Sequence, residues 1–226
     1  MNRTPPLPVV LAMTGASGAP YAVRLLEVLL QSGHELHLSI SPSAQTVLWQ
    51  ELGLRVSLEH FELHQLLRTP EGKPWTSRWP APSPAELPPP PRGKLLYHHY
   101  KDFMTPIASG SHRTAGMVVC PCSGGTLSSI VTGASGNLIE RAAEVHLKER
   151  RKLILVPRET PLSLGYVRNM EQASAAGAVV LPAMPGWYHG VTGLLDLIDF
   201  IVARILDQLE IEHQLMHRWG EEPHDV

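Results

Sequence analysis

The sequence predicts an α/β protein: one domain on a doubly wound, mostly parallel sheet with helices against both faces. Three observations carry this reading. Short runs rich in Val, Ile and Leu alternate with amphipathic helical patterns along most of the chain. Those runs are apolar at nearly every position, as strands covered on both faces require. Two of the turns that follow them are rich in glycine and hydroxyls, at the strand ends where such sheets bind ligands.

The elements follow in order. A strand over 8–14 runs through "MTGASGA" (13–19) into a helix over 18–32, and a strand over 35–41 (ELHLSIS) precedes a helix over 43–52. Further strands are predicted over 116–120, 153–157 (LILVP) and 178–182 (AVVLP), with helices over 124–132, 137–150, 164–176 and 191–208. Between Pro70 and Arg92 nine of 23 residues are proline. Proline fixes φ and lacks an N–H, so 70–92 reads as an exposed, partly polyproline loop within the single domain 1–226. Residues 209–226 read as a C-terminal tail, whose Trp219 is a candidate cover for the site.

Composition narrows the function. The 226 residues are 43% apolar, enough for one substantial core. A net charge of −2 argues against nucleic acid as a partner. No apolar run reaches the roughly 18 residues that a membrane span needs. The opening "MNRTPPLPVVLAM" lacks the long apolar segment of a signal peptide, and the expectation is a cytoplasmic protein. Cys120 and Cys122, two residues apart around a proline, are poorly placed to bridge and read as buried thiols at a strand end. Neither they nor the twelve histidines fall at metal-ligand spacing, so no metal site is expected.

The chemistry gathers in the loops. "TGASGA" departs from the dinucleotide fingerprint, which wants G-x-G-x-x-G and an acid at the end of the second strand. Here Gly15 and Gly18 flank Ala16 and Ser17, and the second strand ends in Ser41. No Gly-Lys-Ser/Thr follows, so the loop is not a P-loop either. Its amides, helix N-terminus and serine suit an anion or a polar ring, although a glycine turn before a helix is often purely structural. A second loop of the same kind, Ser123, Gly124, Gly125 and Thr126, opens the helix over 124–132. Arg141 and Lys148 lie seven residues apart, on one helix face; a solvated charged face is the structural alternative. Arg158-Glu159 follows a fully apolar strand, a place for a catalytic or binding pair as much as for a simple ion pair.

These residues carry a family resemblance. "AMTGASGAPYAVRLLEVL", "ASGS", "CPCSGGTLSSIVTGASGNLIERAAEVHLKERRKLILVPRETPLS", "NMEQASAAGAVVLPAMPGWYH" and "LLDLIDFIVARILDQL" resemble the flavin prenyltransferases of the UbiX/Pad1 family. They span most of the chain outside the proline-rich segment, and the long middle motif is highly specific. The resemblance implies a flavoprotein fold and a metal-independent prenyl transfer. A dimethylallyl group passes from dimethylallyl phosphate to N5 and then C6 of reduced FMN, giving prenylated FMN for a UbiD-type decarboxylase. It also implies a homo-dodecamer whose sites are completed by neighbouring subunits, with Arg141, Lys148, Tyr188 and Arg204 expected at interfaces.

Residue roles follow from the same resemblance. Gly15, Ala16, Ser17 and Ser41 resemble the FMN loop, Ser123 to Thr126 a second flavin-contacting loop, and Arg158 the FMN-binding arginine. Tyr188 and Arg204 resemble the dimethylallyl phosphate site, with Ser109, Arg141, Lys148 and Glu159 as the rest of the phosphate pocket. Glu51 resembles the carboxylate that works with Ser17 on the flavin C6 proton, which makes Ser17, Glu51 and Glu159 the catalytic candidates. The chain departs from several relatives in having Phe103 for a tryptophan and Pro42 for a lysine. The related cysteine-decarboxylase flavoproteins use a catalytic histidine and an asparagine-rich motif absent here. A flavin-binding protein without catalysis is the remaining alternative.

Overall fold

The computed structural model describes residues 6–78, 92–216, 218 and 220. Six strands form one parallel sheet: β1 (Val9–Met13), β2 (Leu36–Ile40), β3 (Leu95–Tyr97), β4 (Gly116–Cys122), β5 (Leu153–Pro157) and β6 (Val179–Val180). Their order is β3-β2-β1-β4-β5-β6. The chain winds outward in one direction from β1 and in the other from β4, so β1 and β4 meet at the topological switch point. Among the described residues seven α-helices accompany them: α1 (Ala19–Gln31), α2 (Pro42–Leu52), α3 (His64–Leu67), α4 (Gly124–Thr132), α5 (Leu138–Lys148), α6 (Leu164–Ala175) and α7 (Leu194–Gln208).

Alternation along β1 explains why the strands are apolar throughout. Val9, Leu11 and Met13 join a core with α1, α2 and α7, whereas Val10 and Ala12 join a second core with α4, α5 and α6. Each face of β1 is therefore a floor for helices, and every residue of the strand is buried. Helix starts follow local chemistry. The side chains of Ser41, Asn137 and Ser163 accept the backbone N–H three residues on, each such cap contributing about 1 kcal/mol. Gly53 and Gly133 close α2 and α4 in the left-handed conformation (φ 70° and 69°), where a side chain would be strained.

Most predicted elements are present with ends shifted by one to three residues. Helix α7 starts at Leu194 rather than 191, because Asp196 accepts N–H groups of Thr192 and Gly193 at 2.7 and 2.9 Å and holds those residues outside the helix. Strand β3 and the single-turn α3 were not expected. Strand β3 is three half-buried residues at the sheet edge, too short for a periodicity to register.

The proline-rich expectation needs correction where it is visible. Residues 79–91 lie outside the described residues. Residues 70–78 are not an exposed loop throughout: Trp75 is 1% exposed and its indole N–H donates to Glu27 of α1 at 2.8 Å. Glu27 also meets Arg24 at 3.7 Å, and Arg24 clasps Asp199 of α7 at 2.7 and 3.0 Å. Burial holds the Glu27 carboxyl above its usual range despite those partners. Of the tail, Leu209, Ile211 and Leu215 pack against the α1/α7 core, and Trp219 lies outside the described residues.

Candidate active site

The carboxyl ends of β1, β2, β4 and β5 converge, and Thr14 stitches the central pair. Its hydroxyl donates to the Pro121 carbonyl at 2.7 Å and accepts the Ser123 N–H at 2.8 Å. Its own N–H donates to the same carbonyl at 3.2 Å. The loop after β1 is thereby fixed to the loop after β4. On the other side Ser41 N–H donates to Met13 O at 3.0 Å, which brings α2's first turn alongside. That approach needs glycine: a Cβ on Gly15 would sit 2.3 Å from Ser43 Cβ. Gly124 is similar, with a Cβ that would meet the Tyr166 ring at 2.9 Å.

The loop after β1 borders a cleft of about 440 Å³, within the range of small-molecule sites. Ser17, Gln50, Glu51 and Arg158 give it polar walls, and Pro20, Tyr21, Ala183, Leu194 and Ile198 give it apolar ones. Glu51 closes the amino end of α1. Its carboxylate accepts Gly18 N–H at 3.0 and 3.2 Å and Ala19 N–H at 2.8 Å, so it complements the partial positive charge there. Arg158 crosses from the end of β5 to donate to Ser17 O at 3.3 Å. Tyr21 sits among these groups; burial first, and Cys120 next, raise its phenol above the usual value. Cys120 and Cys122 are fully buried thiols on β4, as expected, and burial pushes the Cys122 thiol up to about 12, which keeps it inert at neutral pH.

The predicted residues thus divide into groups. Ser17, Glu51 and Arg158 meet in the cleft. Gly15, Ala16, Ser41 and Ser123 to Thr126 flank it at neighbouring strand ends. Ser123 caps α4 and donates to Thr126 Oγ1 at 3.0 Å, while Gly125 opens onto empty space. Glu159 does not pair with Arg158. It accepts Thr160 N–H at 3.0 Å and lines a smaller adjoining cavity with Tyr166 and Met184.

Ser109, Arg141 and Lys148 form a second group, along α5 and outside the cleft lining. Arg141 donates to Ala108 O at 3.2 Å and pairs with Glu144 at 2.9 Å; Lys148 pairs with Glu149 at 2.5 Å. Tyr188 stands edge-on to Phe200 at 5.8 Å and is half exposed. Arg204 pairs with Asp207 at 2.7 Å on α7. Among the described residues, no three His, Cys, Asp or Glu side chains are arranged to hold a metal ion, and no helix is long and apolar enough to cross a membrane.

Sequence reasoning missed Thr14, Tyr21, Leu194 and Ile198. Thr14 was readable as the last polar residue before the glycine turn. Tyr21, three residues beyond Gly18 in an otherwise ordinary helix, gave no signal of its own.

Residues 2–206 match the family model described as Flavoprotein. Over 213 residues the chain is 45% identical to the flavin prenyltransferase UbiX of Alkalihalophilus pseudofirmus, covering 94% of this chain and 96% of that protein. The chain belongs to the UbiX family of flavin prenyltransferases. Solved structures of the family agree. AnUbiX (PadA1) in complex with FMN and dimethylallyl pyrophosphate superposes with a TM-score of 0.75 at 33% identity, covering 96% of this chain and 100% of that one. A dodecameric, FMN-dependent UbiX-like decarboxylase from Escherichia coli O157:H7 gives 0.74 at 34% identity, with the same coverage.

Proposed function

We propose that the chain transfers a dimethylallyl group from dimethylallyl phosphate to N5 and C6 of reduced FMN, and that the product serves a UbiD-type decarboxylase. The observation that carries this is the meeting of Ser17, Glu51 and Arg158 in one cleft at the switch point. An NAD site would want an acid on β2 for a ribose diol. FMN has a linear ribityl chain, and the hydroxyls of Ser41 and Ser123 with the amides around Gly15, Ala16, Gly124, Gly125 and Thr126 suit it better. The fit is local: Gly15 and Gly124 leave no room for a Cβ, and Gly125 faces open space.

In this reading reduced FMN supplies the nucleophilic nitrogen and carbon, and the chain supplies position and charge. Arg158 anchors the flavin side of the cleft. Breaking the allylic C–O bond sends its electron pair to the phosphate, and Arg141, Lys148 and Ser109 stabilise that charge without a metal. Tyr188, Arg204 and Glu159 complete the phosphate pocket. Because Ser109, Arg141 and Lys148 stand outside the cleft lining of one chain, neighbouring subunits of a dodecamer bring the two groups together. Glu51, already fixed by two N–H groups, keeps lone pairs free to accept a proton through Ser17.

The test is anaerobic. Purified protein with reduced FMN and dimethylallyl phosphate yields, by mass spectrometry, a flavin heavier by one C5 unit. Recovery of unmodified FMN alone contradicts the transferase reading.

A further inference from the structure

Three histidines away from the cleft gather at the β2–β3 edge, with His37 buried and His98 and His112 half-buried. His37, the second residue of β2, places Nδ1 2.8 Å from Nε2 of His98, with the rings stacked at 5.0 Å and 17°. The His112 ring lies 4.9 Å from His37, tilted by 58°. The His37 side chain is 3% exposed. Two of the three are held by the sheet: His37 belongs to β2, and His98 N–H donates to Leu38 O at 2.8 Å. His112 alone belongs to an irregular segment, residues 109–115, which begins with Ser109.

That segment is fastened by side chains of α5 and its end, by β1's approach and by the His112 ring. Arg151 donates to the carbonyls of Gly110 and His112, the latter at 2.6 Å. Thr114 Oγ1 lies 2.8 Å from His146 Nε2. His146 Nδ1 lies 2.7 Å from the Ala142 carbonyl and so must donate, leaving Nε2 to accept the Thr114 hydroxyl. Ala115 N–H donates to Pro8 O at 2.9 Å, where the segment enters β4, and the His112 ring packs on His37.

The stack has little counter-charge. Glu35 is 3.4 Å from His37 Nε2, but it also meets Lys94 at 3.6 Å. Asp102 acts on His98 from the loop after β3, while Arg151 and His146 face the group from α5 and its end. Nε2 of His112 is buried without a hydrogen-bond partner. One proton can be shared across the His37–His98 contact. A second proton on this pair sets like charges about 5 Å apart in a half-buried space.

We propose that the His37–His98–His112 stack latches the Ser109 segment to the sheet edge, so that acidification frees the segment and weakens binding of dimethylallyl phosphate while flavin binding persists. This rests on the reading that Ser109, Arg141 and Lys148 hold the phosphate. Burial, reinforced by the neighbouring imidazoles, lowers the His37 value and brings His98 down to about 4. Burial likewise brings His146 down to about 4. The sign follows. The latched state binds fewer protons than the released one, so the latch is complete above about pH 6.5 and weakens as pH falls toward about 4.

The experiment measures KM for dimethylallyl phosphate and the dissociation constant of FMN at about pH 7.5 and about pH 5.5, in the wild type and in H112Q. Each comparison is made at one pH, so the substrate's own titration cancels. The wild-type KM rises roughly fivefold to tenfold more than that of H112Q on acidification, with FMN affinity changing alike in both. Equal KM shifts in the two proteins, or an FMN effect as large as the KM effect, overturn the latch. H98Q replaces H112Q if the latter does not fold. If no prenylated flavin forms at any pH, the transferase reading has failed, and hydrogen exchange of residues 109–115 decides the latch separately. Faster exchange at low pH in the wild type than in H112Q supports it, and equal exchange overturns it.

Discussion

The cleft at the strand ends and the α5 cluster are built in opposite ways. Around the cleft, position comes from the backbone: Thr14 ties two loops, Glu51 caps α1, and Gly15 lets α2 approach. Along α5, position comes from long side chains, each engaged locally: Arg141 with Glu144, Lys148 with Glu149. Exposed pairs of this kind contribute roughly 0–1 kcal/mol and exchange partners readily. The cleft is therefore firmly built, which suits the flavin proposed for it. The cluster is a set of cations that an incoming phosphate can recruit at little cost. Under the proposed function, the difference separates holding a flavin from neutralising a leaving group.

Substitutions sharpen or break that contrast. The largest effect is expected from Glu51→Gln, which removes the charge that sits on Gly18 and Ala19 N–H and the proton acceptor beside Ser17. Turnover to the fully cyclised product should fall about 10²–10⁴-fold, with a singly alkylated flavin accumulating in quenched anaerobic reactions. Unimpaired ring closure removes the relay role. Gly15→Ala comes next. Its Cβ would press on Ser43 Cβ at 2.3 Å, forcing α2 away at a cost of about 1–3 kcal/mol. FMN affinity, read by fluorescence titration, should weaken roughly tenfold or more; an unchanged affinity would show that the tight approach to α2 has no part in holding the flavin.

Arg141→Ala is the smallest of the three and the converse of the second. It should raise KM for dimethylallyl phosphate about tenfold through loss of a charge-assisted contact, and leave FMN affinity and melting temperature nearly unchanged. Loss of flavin binding in this variant would erase the division between the two regions.

The same contrast explains what was legible in the sequence. The strand-end loops announce themselves because glycines and capping serines sit at fixed offsets from apolar strands, so "MTGASGA" marks the loop that borders the cleft and "CSGGT" the loop beside it. The sheet is legible for a related reason: strands buried on both faces leave no polar position. Strand β3 and Trp75 were not, since three edge residues show no periodicity and Trp75 is buried by a distant contact with Glu27. Nor does spacing show that Arg141 and Lys148 stand apart from Arg158. Both α5 cations read equally well as a solvated face, and the separation depends on where α5 packs against the sheet. Tyr188 and Arg204 were reachable through the family motif alone, because an exposed aromatic and a paired arginine carry no mark of their own.

The most direct test of the central claim is a crystal structure of the protein grown with FMN under reducing conditions. The isoalloxazine should lie at the β1–β4 switch point against Ser17, Glu51 and Arg158, with the ribityl hydroxyls toward Ser41 and the Ser123–Thr126 loop. A flavin seated instead on the Ser109–Arg141–Lys148 cluster, with the cleft at the strand ends unfilled, would contradict the account.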